Sequence, residues 1–179
     1  MTEKGENILK AYRFVQGFFK EVAQLFRKLD DLMAKDGWDS AVGNLTTLDL
    51  SKDLLKPERW LPEASFRLYE NEMFPQIRRG IVVSYIHREK IKEPVLIMGK
   101  IEYKKLEKAS PWDIWSLWFD ERLKRVLNKD YFESEPENKD MYIEKDVIAN
   151  VALHAINLVD VASEEDIKNK VFHKLGELK

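Results

Sequence analysis

The chain has no cysteine among its 179 residues, which excludes a disulfide framework, a thiolate nucleophile, an iron–sulfur cluster and any cysteine-ligated zinc site. Histidine is nearly as scarce. The three present, His87, His154 and His173, fall in separate stretches, and no two have the local spacing of metal ligands. The seven glycines stand isolated at positions 5, 17, 37, 43, 80, 99 and 176, so neither a dinucleotide fingerprint nor a Walker loop can be written. G-x-S-x-G and H-E-x-x-H are absent as well. No motif calls for a cofactor or a bound metal. The six prolines are thinly spread and mark no linker, and no repeat of solenoid period occurs. No stretch approaches about 18 uncharged apolar residues, and the charged N-terminus Met1-Thr2-Glu3-Lys4-Gly5-Glu6 lacks the apolar core of a signal peptide. The expectation is a cytoplasmic protein without a membrane segment.

What remains is 44% hydrophobic and 35% charged, the composition of an ordinary globular domain, and at roughly 100 to 200 residues per domain it fits one domain spanning 1–179. Its strongest pattern lies in the first 35 residues. Ile8, Ala11, Tyr12, Val15, Phe18, Phe19, Val22, Leu25, Phe26, Leu29, Leu32 and Met33 recur every seven positions. That spacing predicts a helix over 3–35 with one broad apolar stripe, stopped by Gly37. Such a helix is about 50 Å long at 1.5 Å per residue, whereas a compact domain of this size has a diameter near 40 Å. The helix should overhang its own domain and dimerise, the simplest partner being a second copy of the chain. Cover by a C-terminal helix, or a kink at Gly17, would remove that need.

Further along, 64–70 can form a strand with Phe66 and Leu68 on one face, and 79–104 reads as an antiparallel hairpin turning through 88–94. Symmetry about Ile91 would place Tyr85 opposite Ile97, Val83 opposite Gly99 and Ile81 opposite Ile101, giving one apolar face of odd-numbered residues. The even face would gather Arg78, Lys100, Glu102 and Lys104 at the open end. Ser110-Pro111-Trp112-Asp113 is a helix start, with a capping hydroxyl, proline at the first position and a carboxylate three residues after the cap. Its apolar faces would bury Trp112 and Trp115 between two layers. Residues 145–161 suit a further helix, with Asn150, His154, Asn157 and Asp160 on one side, and Ser163 caps a terminal helix. The fold class is therefore α+β: a small antiparallel sheet, the hairpin plus at least one more strand, packed by helices and by the long N-terminal amphipathic helix.

Function is less determined. Residues 76–108 carry nine Lys/Arg against four Asp/Glu, a net of +5, while 130–179 carry six against twelve, a net of −6. A basic hairpin can draw phosphates or acidic partners, although its charges could equally pair with the acidic C-terminal segment. Glu102-Tyr103-Lys104 on a strand would set a carboxylate and an ammonium on one face, as a metal-dependent nuclease requires. A second acidic ligand would have to come from Glu70, Glu72, Glu89 or Glu93, since no Asp lies between Asp53 and Asp113. Nucleic-acid binding is the minority reading for a chain of pI about 6.0. The favoured expectation is a non-enzymatic binding or regulatory module, homodimeric through the N-terminal helix, presenting a sheet surface to a small ligand or a protein. Candidate binding residues are Arg78, Lys100, Glu102, Lys104, Trp112, Trp115 and His154.

Overall fold

A computed structural model describes residues 3–47, 50, 53–55, 57, 60–85, 93–114, 132–134 and 147–178. The heptad stripe is realised as one unbroken helix, α1 (Glu3–Lys35), which runs straight through Gly17. Gly37, at φ 78°, ends it, and the Gly37 and Trp38 N–H groups donate back to the carbonyls of Ala34 and Met33 at 3.1 and 2.9 Å. A side chain beyond glycine would be strained in that left-handed cap.

Beyond the cap come β1 (Asp39–Ser40), β2 (Ala64–Glu70), β3 (Ile77–Ser84), β4 (Val95–Tyr103), β5 (Phe132–Ser134) and β6 (Ile148–Asn157). They form one sheet in the order β1-β2-β3-β4-β6-β5, antiparallel at every pairing. The last helix, α2 (164–177), starts as α at Glu164–Asp166, widens to a π-helix over Ile167–Phe172 and returns to α over His173–Glu177. Its start is the expected capping box. The Ser163 hydroxyl accepts from the Asp166 N–H at 3.1 Å and the Asp166 carboxylate accepts from the Ser163 N–H at 3.1 Å. The class is thus α+β. Among the described residues, no helix is long and apolar enough to cross a membrane.

The hairpin forms, but in a different register. Ile81 faces Met98, Val82 faces Ile97 and Gly80 faces Gly99, a displacement of three residues from symmetry about Ile91. An odd displacement exchanges the faces of one strand. Val82 therefore lies with Ile97 and Ile101 on one side of the sheet, beside Phe66 and Leu68. Ile81 and Val83 lie with Leu96 and Met98 on the other, under Val22, Leu25, Phe26, Leu29 and Met33 of α1 and Val171 and Leu175 of α2. Both faces are core, so apolar content does not distinguish registers that differ by a flip.

The helix expected over 145–161 is instead β6, the ten-residue strand beside β4. With both faces buried, its apolar run shows no alternation, while β-branched Ile148, Val151 and Ile156 favour the pleated form. At the other suspected helix start, Pro111–Ile114 form a 3₁₀ turn. The Ser110 hydroxyl accepts from the Trp112 N–H at 3.2 Å, and the Asp113 carboxylate accepts from the Ser110 N–H at 2.7 Å. The rest of that suspected helix, with Trp115, lies outside the described residues, as does His87.

Candidate functional site

The observed register separates the residues expected to converge at the hairpin's open end. Arg78 pairs across with Ile101, and Lys100 with Arg79, so side-chain alternation sends Arg78 to one face of the sheet and Lys100 and Glu102 to the other. On the first face lies a cleft of about 150 Å³ lined by Glu70, Arg78, Tyr103 and Ser110, among others. Its polar groups satisfy one another. Arg78 meets Glu70 at 2.7 Å and donates to the Pro75 carbonyl at 3.1 Å, while the Tyr103 hydroxyl donates to Asp113 at 2.7 Å. Burial, and then the Asp113 charge, hold the Tyr103 phenol protonated well beyond its ordinary range. An anion entering here would have to displace Glu70.

On the opposite face Lys100 reaches Glu102 at 3.8 Å. Lys104 is exposed just past the end of β4, its N–H donating to the Val147 carbonyl at 2.7 Å. Glu70 and Glu102 have the sheet between them. Among the described residues, no group of three or more His, Asp or Glu side chains is placed to hold a metal ion. Trp112 is half exposed, and His154 is buried on the helix-covered side of β6. In a strand, Asn157 alternates to the face opposite His154 and Asp160 lies in the following turn, so the predicted polar side of a helix is dispersed. Among the described residues, three cations at the hairpin's open end are paired before the C-terminal segment begins: Arg78 with Glu70, Arg79 with Asp36 and Lys100 with Glu102.

Two polar assemblies were not apparent in the sequence. Arg67, 4% exposed, donates from Nε and Nη2 to both Asp30 oxygens at 2.9 Å, from Nη2 to Ser40 at 2.9 Å, and from Nη1 to the Gly43 carbonyl at 2.7 Å. Tyr69 adds a bond to Asp30 at 2.9 Å. This group ties α1 to β2 and to the turn after β1. The second assembly is Arg79, whose guanidinium lies 4.2 Å over the Trp38 ring, with Asp36 at 3.6 Å and Phe74 stacked on Trp38. Burial lowers the pKa of Arg79, and Asp36 opposes that shift. Both assemblies are joints between elements: every guanidinium nitrogen of Arg67 is hydrogen-bonded, whereas the buried Arg79 Nε has no hydrogen-bond partner among the described residues.

Among the described residues, the first half of α1 carries an apolar surface that the rest of the fold leaves exposed. Every residue of α1 classed as buried lies at Val22 or later, yet the stripe continues without change of period toward the N-terminus. Ile8, Tyr12 and Phe14 are 57%, 70% and 75% exposed. Phe18 and Phe19 end this bare section, their rings edge-on to Tyr85 at 5.3 and 5.4 Å. From there a groove of about 420 Å³ runs between α1 and the segment 158–167. It has apolar walls from Leu25, Val159 and Ile167, and Lys28 and Glu164 pair across it at 2.6 Å.

No family model matches this chain, and no curated protein or solved structure matches it either.

Proposed function

We propose that the protein is an interaction module that works as a homodimer assembled through the bare half of α1. The observation that carries this reading is the continuity of the stripe. One heptad pattern covers the sheet between Val22 and Met33 and then extends through half-buried Val15 to Tyr12 and Ile8, which stand 70% and 57% exposed. A contiguous apolar surface of this kind marks an association site, and a second copy is the partner always present at matching concentration. Side chains shared by the folded core and the overhang give the contact the character of a helix–helix interface rather than of a ligand pocket.

The test is multi-angle light scattering across a concentration series. The wild type should elute with the mass of two chains. Tyr12→Glu combined with Phe14→Glu should give one chain with an unchanged far-ultraviolet spectrum, since neither side chain enters the core. These positions are preferable to Phe18 and Phe19, which pack on Tyr85 within the chain. A wild type that stays monomeric at high concentration would overturn the reading.

A further inference from the structure

Beside the apolar stripe, about a third of a turn round α1, runs a second row of residues at alternating spacings of four and three: Glu3, Asn7, Lys10, Phe14, Gly17, Glu21, Gln24 and Lys28. Reversed and laid against itself about a point between Val15 and Gln16, this row matches itself. Lys10 meets Glu21, Glu3 meets Lys28, Asn7 meets Gln24, and Phe14 meets Gly17. Opposite charges, amides and a large–small pair coincide in one register. Phe14 is 75% exposed, and nothing lies within 4 Å of where a Cβ on Gly17 would be, so the partner's ring finds open space at the crossing. Glu21, Gln24 and Lys28 also line the groove between α1 and the segment 158–167.

Building on the homodimer proposed above, we infer that this groove is the second half of the dimer interface and that its occupant is the α1 overhang of the other copy. The two α1 helices lie antiparallel about a two-fold axis near Val15 and Gln16, and each overhang seats on the partner's groove. Handedness supports the antiparallel choice. Two right-handed helices joined through the same row have their adjacent faces on the same side when they run antiparallel, and on opposite sides when they run parallel. Antiparallel pairing therefore turns Ile8 and Tyr12 of each overhang toward the sheet side of the partner, where the segment 158–167 supplies Val159 and Val161. Parallel pairing would turn them to solvent. The levels also agree. The groove spans the α1 residues Phe18 to Lys28, and the register places residues 3–13 of the partner beside them. The segment 158–167 carries Asp160, Glu164, Glu165 and Asp166 and no basic residue, and the overhang 3–13, with Lys4, Lys10 and Arg13 against Glu3 and Glu6, is net +1, the sign that suits this field.

Because the chain has no cysteine, cross-linking can read the register directly. Residues 10 and 21 of one helix are about 16 Å apart, too far for a disulfide within one chain. Under mild oxidation of the full-length protein, Lys10→Cys with Glu21→Cys should give a covalent dimer, and either cysteine alone should not. In a second measurement, Lys10→Glu should weaken dimerisation about three- to tenfold, each pair occurring twice by symmetry, and adding Glu21→Lys should restore it. Single cysteines that cross-link as well as the pair would show parallel helices and overturn this inference. A light-scattering dimer with neither the paired cross-link nor the charge rescue would also overturn it, while leaving assembly through α1 intact. A wild type that is monomeric throughout would overturn both.

Discussion

Arg67 sits in a strand whose neighbours would suggest a solvent-facing position, yet every nitrogen of its guanidinium has an acceptor. Burying a cation is tolerable only with such company, and removing its counter-ion costs far more than removing the pair together. The two partners differ in exposure: the Arg67 side chain is 5% accessible and the Asp30 side chain 36%. Asp30→Ala should therefore destabilise by about 3–5 kcal/mol, leaving a buried guanidinium without a carboxylate. Arg67→Met should cost clearly less, because Asp30 can rehydrate. Urea unfolding of the two variants measures the order, and equal losses would mean that the network stabilises through packing rather than charge.

At the level of elements, α1 divides into a half that builds the core and a half that contributes no buried residue to it. A variant starting at Phe18 keeps every buried residue of the helix. It should stay folded as a monomer and lose less than about 0.5 kcal/mol when compared with monomeric full-length protein by denaturant titration. A collapse of the fold on this truncation would show that the overhang contributes within its own chain. The same helix was the most legible element, because its period of seven persists whether or not the stripe is covered. The strand 64–70 was legible too, through the alternation of Phe66 and Leu68 with Ser65, Arg67 and Tyr69. Strand β6 and the hairpin register were not, and for one shared physical reason. A sheet buried on both faces removes the polar–apolar alternation that separates strand from helix and one register from the next. The site was only partly readable. The overhang followed from arithmetic on length, but the groove depends on how 158–167 returns beside α1, and the Arg67 assembly joins residues 30, 40, 43 and 67. The supposed cluster of Arg78 with Lys100 dissolved with the register that implied it.

Across the whole molecule, the tyrosines set an alkaline limit. Burial, the leading cause in each case, raises Tyr69, Tyr85 and Tyr103 above the ordinary phenol value, Tyr85 to about 12. Below pH 10 both folded and unfolded chains hold these protons, so stability is unaffected. Between about pH 10 and 12 the unfolded chain releases the Tyr85 proton while the folded chain keeps it, and stability must fall as pH rises, by about 2–3 kcal/mol from this residue. Tyr85→Phe keeps the ring against Phe18 and Phe19 and should flatten that decline, as measured by urea midpoints from pH 9 to 12. A slope identical to wild type would place the titration elsewhere.

Among the described residues, the sheet is bounded by β1, of two residues, and by β5, Phe132–Ser134. A two-residue edge such as β1 offers an incoming strand few backbone donors and acceptors, which blunts growth by strand addition on that side. In the homodimer proposed above, a sheet spared a ribbon-forming seam at β1 would let association through the helix close at two copies instead of propagating from that edge as a fibril.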